Sequence, residues 1–262
     1  PSASAGWLSG TWGIMNHSLS FFNVETELAA AIKPIGGQRV TAVLGKKPGH
    51  KNADFFFPSE SVISELKCLD DDKIVDERII EKASQLYAAE LLSGRAPVVA
   101  FGTVRMTTEN FSDEYKQKIG NLYRVPIERL VRYANQQIEE TGQALKITRP
   151  LGLFLLANNN HTALDPQHAW YIVNQILMKD KYQSINSAVV FSGNLAAVLP
   201  NSPNRVDYWI EVQRFGIPPI DSAFLDSLRQ AWYARLAQIF GKPSVPIIVP
   251  ADMPLLRDLE SR

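Results

Sequence analysis

Asp54, Glu65 and Lys67 are side chains of the types and spacing that could do chemistry together. Alternate side chains of a β-strand share a face, so Glu65 and Lys67 point the same way as Ile63 and Leu69. Val62, Leu66 and Cys68 then point to the opposite face, the expected core side. Asp54 belongs to a short apolar run at 53–57, and the break at Pro58-Ser59 separates it from the run at 61–69. That spacing predicts two strands paired as a hairpin, which brings Asp54, Glu65 and Lys67 together. Two carboxylates are hard oxygen ligands of the kind Mg²⁺ takes while it keeps waters and binds phosphate oxygens. A lysine beside them can orient a water or stabilise developing negative charge. A purely structural ion pair at a sheet edge would use the same three groups, and it is the alternative.

The elements that must position these residues can be read along the chain. Asn23 is an N-cap, and Val24, Leu28, Ala31, Ile32 and Ile35 form one helical stripe that Gly36-Gly37 stops. The pattern predicts strands at 39–44, 53–57 and 61–69, with Asp70-Asp71-Asp72 closing that part of the sheet. Helical stretches follow at 75–92 and 113–141, with a strand at 98–104 between them. Pro126 predicts an end or a kink in the second. A strongly apolar strand at 151–157 precedes a helix that Asp165-Pro166 caps and that reaches about Met178. Strands at 187–191 and 205–212 and an amphipathic helix at 224–240 complete the order. The expected fold class is α/β, a mixed β-sheet flanked by helices. Residues 1–22 read as an irregular arm and 23–262 as a single domain with a helical elaboration at about 75–145.

Asp54-x10-Glu65-x-Lys67, divided between consecutive strands after an N-terminal helix, resembles the PD-(D/E)xK nuclease superfamily, the restriction-endonuclease-like fold. That family's core order is helix, three strands, helix, strand, and the chain follows it with 151–157 as the fourth strand. The resemblance implies a restriction-endonuclease-like core and a Mg²⁺-dependent endonuclease, with Mn²⁺ as a substitute, acting on DNA ahead of RNA in restriction or defence. It implies that Asp54 and Glu65 bind the metal, that the Leu66 carbonyl adds a ligand, and that Lys67 sits at the nucleophilic water. Many members place a glutamate of the first helix at the metal. Glu25 and Glu27 both flank the stripe here, and the spacing to Gly36 favours Glu27. Asn52-Ala53 stands where the signature often has a proline before the aspartate. The resemblance covers residues 23–70 and, loosely, 150–192. A homodimer is expected if both strands of a duplex are cut, since one such site cuts one strand. The competing class is a catalytically inactive nucleic-acid-binding or assembly protein that retains the nuclease fold.

Composition bounds the partners. With 27 basic and 27 acidic side chains the net charge is zero, which argues against a histone-like coat but allows a local basic cleft. Lys33, Arg39, Lys46, Lys47 and Lys51, with His50, run toward Asp54 without an acidic residue. Lys46, Lys47 and Lys51 are candidate phosphate contacts, with a solvated hairpin loop as the alternative. Lys116, Lys118, Arg124, Arg129 and Arg132 are interrupted by Glu114 and Glu128 and read as an ordinary charged helix face. Asn158 to Asp165 reads as a polar loop and helix cap. The single cysteine, Cys68, reads as a small buried residue and excludes both a disulfide framework and a Cys-rich zinc site. It fits a reducing compartment. The opening residues lack the basic and apolar regions of a secretion signal, and no apolar run is long enough to span a membrane. A cytoplasmic chain is expected. The four histidines lack ligand spacing, Gly-rich phosphate loops are absent, and Ser192-Gly193-Asn194 makes no nucleophile elbow. Kinase, dehydrogenase and serine-hydrolase chemistry have no footing.

Overall fold

The computed structural model describes residues 22–45, 52–70, 77–96, 111–161, 166–198, 205–244 and 246–249. Lys46, Lys47 and Lys51, the arm up to residue 21, the strand expected at 98–104 and the Asp165 cap lie outside the described residues. Asn23 caps helix α1 (Val24–Ile32) as expected, its side chain accepting the Thr26 N–H at 2.8 Å. A 3₁₀ turn (Lys33–Ile35) extends α1, and Gly36 stops it at φ +83°, a left-handed conformation that favours glycine.

Among the described residues, seven strands form one mixed sheet. Strands β1 (Gln38–Arg39), β2 (Phe55–Phe57) and β3 (Val62–Leu69) run antiparallel in succession. Strands β4 (Leu151–Asn158) and β5 (Ser187–Ser192) continue parallel to β3. A small separate pair, β6 (Ala197–Val198) and β7 (Arg205–Val206), precedes β8 (Tyr208–Gln213). β8 is antiparallel to β5, and β9 (Ile247–Val249) is parallel to β8 at the far edge. The helices are α2 (Val40–Leu44), α3 (Glu77–Leu92), α4 (Asp113–Ala144), α5 (Pro166–Leu177) and α6 (Ser222–Phe240). The mixed α/β sheet flanked by helices is thus the observed class. Among the described residues no helix is long and apolar enough to cross a membrane.

Helices cover both faces, so the central strands are buried on both. Ile63, Leu69, Phe154, Leu156 and Val190 pack with Ile127, Val131, Ala134 and Ile138 of α4 and with α5. Val62, Leu66, Leu153, Leu155 and Phe191 pack with α1 and with Leu228, Trp232 and Leu236 of α6. Each fully buried side chain of this size contributes about 1.5–3 kcal/mol. The face that carries Glu65 is therefore as much a core face as the one opposite. At the centre, Gly152 has no room for a side chain. A Cβ there would lie 1.7 Å from the Ser184 carbonyl oxygen and 2.9 Å from Ile138. Gly152→Ala is expected to cost at least ~2 kcal/mol. The urea midpoint should fall, and an unchanged midpoint would contradict the packing described.

Three elements differ from expectation, the first being the strand expected at 205–212, which is divided into β7 and β8 in two different sheets. Residues 39–44 form a strand only as far as Arg39 and then coil into α2. β2 offers partners only to Gln38 and Arg39, and Val40 already bonds the carbonyl of Asp54, the residue just before β2, at 3.0 Å. With no strand left to pair, the backbone satisfies its own hydrogen bonds in a helical turn. Pro126 does not end α4, which runs unbroken through 32 residues. The proline removes one helical donor, and the packing of Ile127, Val131, Ala134 and Ile138 on the sheet outweighs that loss.

Candidate functional site

β2 pairs with Val62, Ile63 and Ser64, so among the described residues the outer edge of β3 carries no strand from Glu65 onward. Asp54, just before β2, occupies that edge. Its Oδ2 accepts the Leu66 N–H at 2.9 Å, and its own N–H donates to Glu65 Oε2 at 3.1 Å. The N–H and C=O of one strand residue leave the same side of the strand, so the Leu66 carbonyl opens on the Asp54 edge. Glu65 is 0% exposed beneath α4, and the Lys67 side chain is 23% exposed at the margin. Lys67 Nζ donates to Glu65 Oε1 and, at 3.1 Å, to Gln137 Oε1.

Burial dominates the electrostatics. It pushes the Glu65 carboxyl up to about 8, the neighbouring Asp54 adds to the rise, and the Lys67 ammonium opposes it. Asp54 is also raised, chiefly by burial; the Leu66 N–H counters this, Glu25 adds to it and Lys67 reduces it. One ammonium therefore does not suffice to keep both carboxylates ionised at neutral pH. A divalent cation would supply the missing positive charge. Cys68, half-buried, has its thiol pushed up to about 12 by burial and adjacent carboxylates, so it is no nucleophile.

The first-helix glutamates divide differently from expectation. Glu27 turns to α6, where its Oε2 accepts from Arg235 Nε at 2.7 Å and lies 2.6 Å from a second guanidinium nitrogen. Glu25 pairs with Arg39 and lies close enough to Asp54 to raise its carboxyl. Residues two apart on a helix face roughly opposite sides at 3.6 residues per turn, so both cannot face one site. The structure brings Asp54, Glu65, Leu66 and Lys67 together, sets Glu25 at their margin and leaves Glu27 outside. Glu27→Gln should lose about 1 kcal/mol of stability with the partly exposed Arg235 pair. It should leave any Mg²⁺-induced rise in melting temperature intact, and loss of that rise would return Glu27 to the site.

Two site residues escape the sequence pattern. Gln137 of α4 donates to the Asn52 carbonyl at 3.0 Å while accepting from Lys67, and Thr141 one turn later accepts the Ala53 N–H at 2.7 Å. Together they pin the segment that delivers Asp54. Their signal is a pair of polar residues at i and i+4 beside the buried stripe of an amphipathic helix. The α4 charge cluster is partly consumed by helix-face pairs, Lys116 with Asp113 and Lys118 with Glu114. Glu128 is held by Lys179 and Lys181. The polar loop after β4 closes on itself, Asn158 accepting the His161 N–H at 2.9 Å and donating to the His161 carbonyl.

Among the described residues no three His, Cys, Asp or Glu side chains gather into a cage of protein ligands. The set Asp54, Glu65 and the Leu66 carbonyl instead suits an ion that binds through one or two carboxylates and keeps its waters, which is the habit of Mg²⁺. No protein-family model, curated protein or solved structure matches this chain.

Proposed function

We propose that this chain is a divalent-cation-dependent nuclease, acting on DNA ahead of RNA, on a restriction-endonuclease-like core. One observation carries the proposal: Asp54 and Glu65 interlock at the unpaired edge of β3, with the Lys67 amine hydrogen-bonded to Glu65. The order α1, β1, β2, β3, α4, β4 supports the core, with α2 inserted between β1 and β2, α3 inserted before α4, and β1 only two residues long.

The Asp54 and Glu65 carboxylates and the Leu66 carbonyl would hold Mg²⁺ or Mn²⁺. Such an ion, when bound, acidifies a water and offsets charge on the phosphoryl oxygens. Lys67 would orient that water, a role supported by the hydrogen bonds from its amine to Glu65 and Gln137. In hydrolysis the water oxygen bonds to phosphorus and gives up a proton to solvent, the ester P–O bond breaks, and the leaving oxygen takes a proton from solvent. Gln137 and Thr141 touch no reacting atom and act by positioning Asp54 and Lys67.

The test is incubation of supercoiled plasmid, linear duplex, single-stranded DNA and RNA with Mg²⁺ or Mn²⁺, and in parallel with EDTA. Cleavage of at least one substrate with metal and of none with EDTA is expected. Binding of nucleic acid without cleavage of any substrate would favour an inactive protein that retains the fold. Double-strand breaks would call for a second copy of the chain.

A further inference from the structure

Immediately beyond Lys67, where β3 ends, a cavity of about 230 Å³ opens between the strand, the first half of α4 and His161. It has room for several waters at ~30 Å³ each, yet falls below the ~300 Å³ at which pockets for drug-sized ligands begin. One flat ring system fits such a space. We propose that it receives a single unstacked nucleobase of a single-stranded nucleic acid, next to the phosphate held at Asp54, Glu65 and Lys67. The placement of that phosphate rests on the nuclease proposal.

Position, walls and polar groups agree. Lys67 to Leu69, at the cavity wall, is two strand residues, about 7 Å. A cavity of this size admits one ring system with no neighbour stacked on it, so a base inside it has left the stack. Tyr123 and His161 form one wall, their rings edge-on with centroids 6.4 Å apart, and offer an aromatic face to a base. Pro126 has no N–H to give the Leu122 carbonyl one turn earlier, and both residues line the cavity. The Leu122 carbonyl therefore lacks its usual helical donor four residues on. The Asp70 carboxylate, which also holds the Asn159 amide at 2.6 Å, is an acceptor. Acceptors suit the exocyclic amine of adenine, cytosine or guanine. Arg129 supplies a guanidinium at the same cavity, placed for the phosphate that follows the base, while the neighbouring Glu128 is drawn away by Lys179 and Lys181.

The test uses the full chain with Ca²⁺, a hard cation for the same oxygen ligands that keeps the phosphate held, and binding is read before any cleavage. Single-stranded DNA oligonucleotides carry the fluorescent base 2-aminopurine at successive positions, and the competitor is the same sequence as duplex. Wild type should change the fluorescence when the probe occupies one position. Tyr123→Leu should remove that change and weaken single-strand binding about tenfold, with duplex binding unaltered. Arg129→Gln, at an exposed position, should weaken single-strand binding too, and it serves if Tyr123→Leu fails to fold. Fluorescence and affinity that are the same in wild type and in the folded variants overturn the proposal, as does a wild type that binds duplex as well as single strand. Binding with the position-specific signal but without metal-dependent cleavage would sink the nuclease proposal and keep the cavity. Cleavage with no such signal would do the reverse.

Discussion

Lys67→Ala is expected to lower the metal-dependent cleavage rate by about 10²- to 10⁴-fold, the range for a group that positions or activates a nucleophile. The amine is held by Glu65 and by Gln137 at 3.1 Å, so its direction is set before any substrate arrives. Loss of that direction should appear in kcat with little change in KM, because the interaction matters in the transition state. Lys67→Arg should not restore the rate, since a planar guanidinium cannot occupy the same point between two acceptors. Single-turnover cleavage at saturating enzyme, alongside a thermal melt of each variant, separates catalysis from folding. Cutting by folded Lys67→Ala at the wild-type rate would remove lysine from the chemistry and leave it a structural partner of Glu65.

The second large effect concerns stability and its pH dependence. The Glu65 carboxyl has an ordinary value of 4.5 and is raised to about 8 in the fold. Between these values the unfolded chain releases a proton that the folded chain keeps. The native state therefore binds more protons, and stability falls as pH rises from about 4.5 to about 8. It is fully present below that window and lowest above it. Glu65→Gln keeps the shape and removes the titration, so in EDTA at pH 8 the variant should be more stable than wild type by on the order of a few kcal/mol. For a chain of this size that is a melting temperature several degrees higher. The gap should close toward pH 4.5, and added Mg²⁺ should stabilise wild type but not the variant. A variant that melts below wild type at every pH would mean that the Lys67 ion pair outweighs the burial of Glu65.

Much of the site is legible in residue types because strand geometry is local. The alternation in β3 that puts Glu65 and Lys67 with Ile63 and Leu69 follows from a period of two, and the structure keeps it. The short Pro58-Ser59 break likewise suffices to bring Asp54 beside Glu65. What the pattern hides depends on partners distant in sequence. Whether 39–44 continues as a strand is decided by where β2 stops, and the answer is α2. The choice between Glu25 and Glu27 turns on Arg39 and on Arg235, the latter 208 residues away from Glu27. Gln137 and Thr141 reach the site across 70 and 88 residues, which no local spacing records. The burial of Glu65 is also non-local: it comes from α4 lying over the face that carries it, and that burial raises its carboxyl.

Binding of Mn²⁺ followed by electron paramagnetic resonance reads the central proposal most directly, since free and bound ions give different signals and no substrate is needed. Wild type should bind one ion per chain at the Asp54–Glu65 pair. Asp54→Asn, confirmed as folded by its melt, should lose that ion. A wild type that binds none, or an Asp54→Asn chain that binds as wild type does, would contradict a metal centre at these two carboxylates.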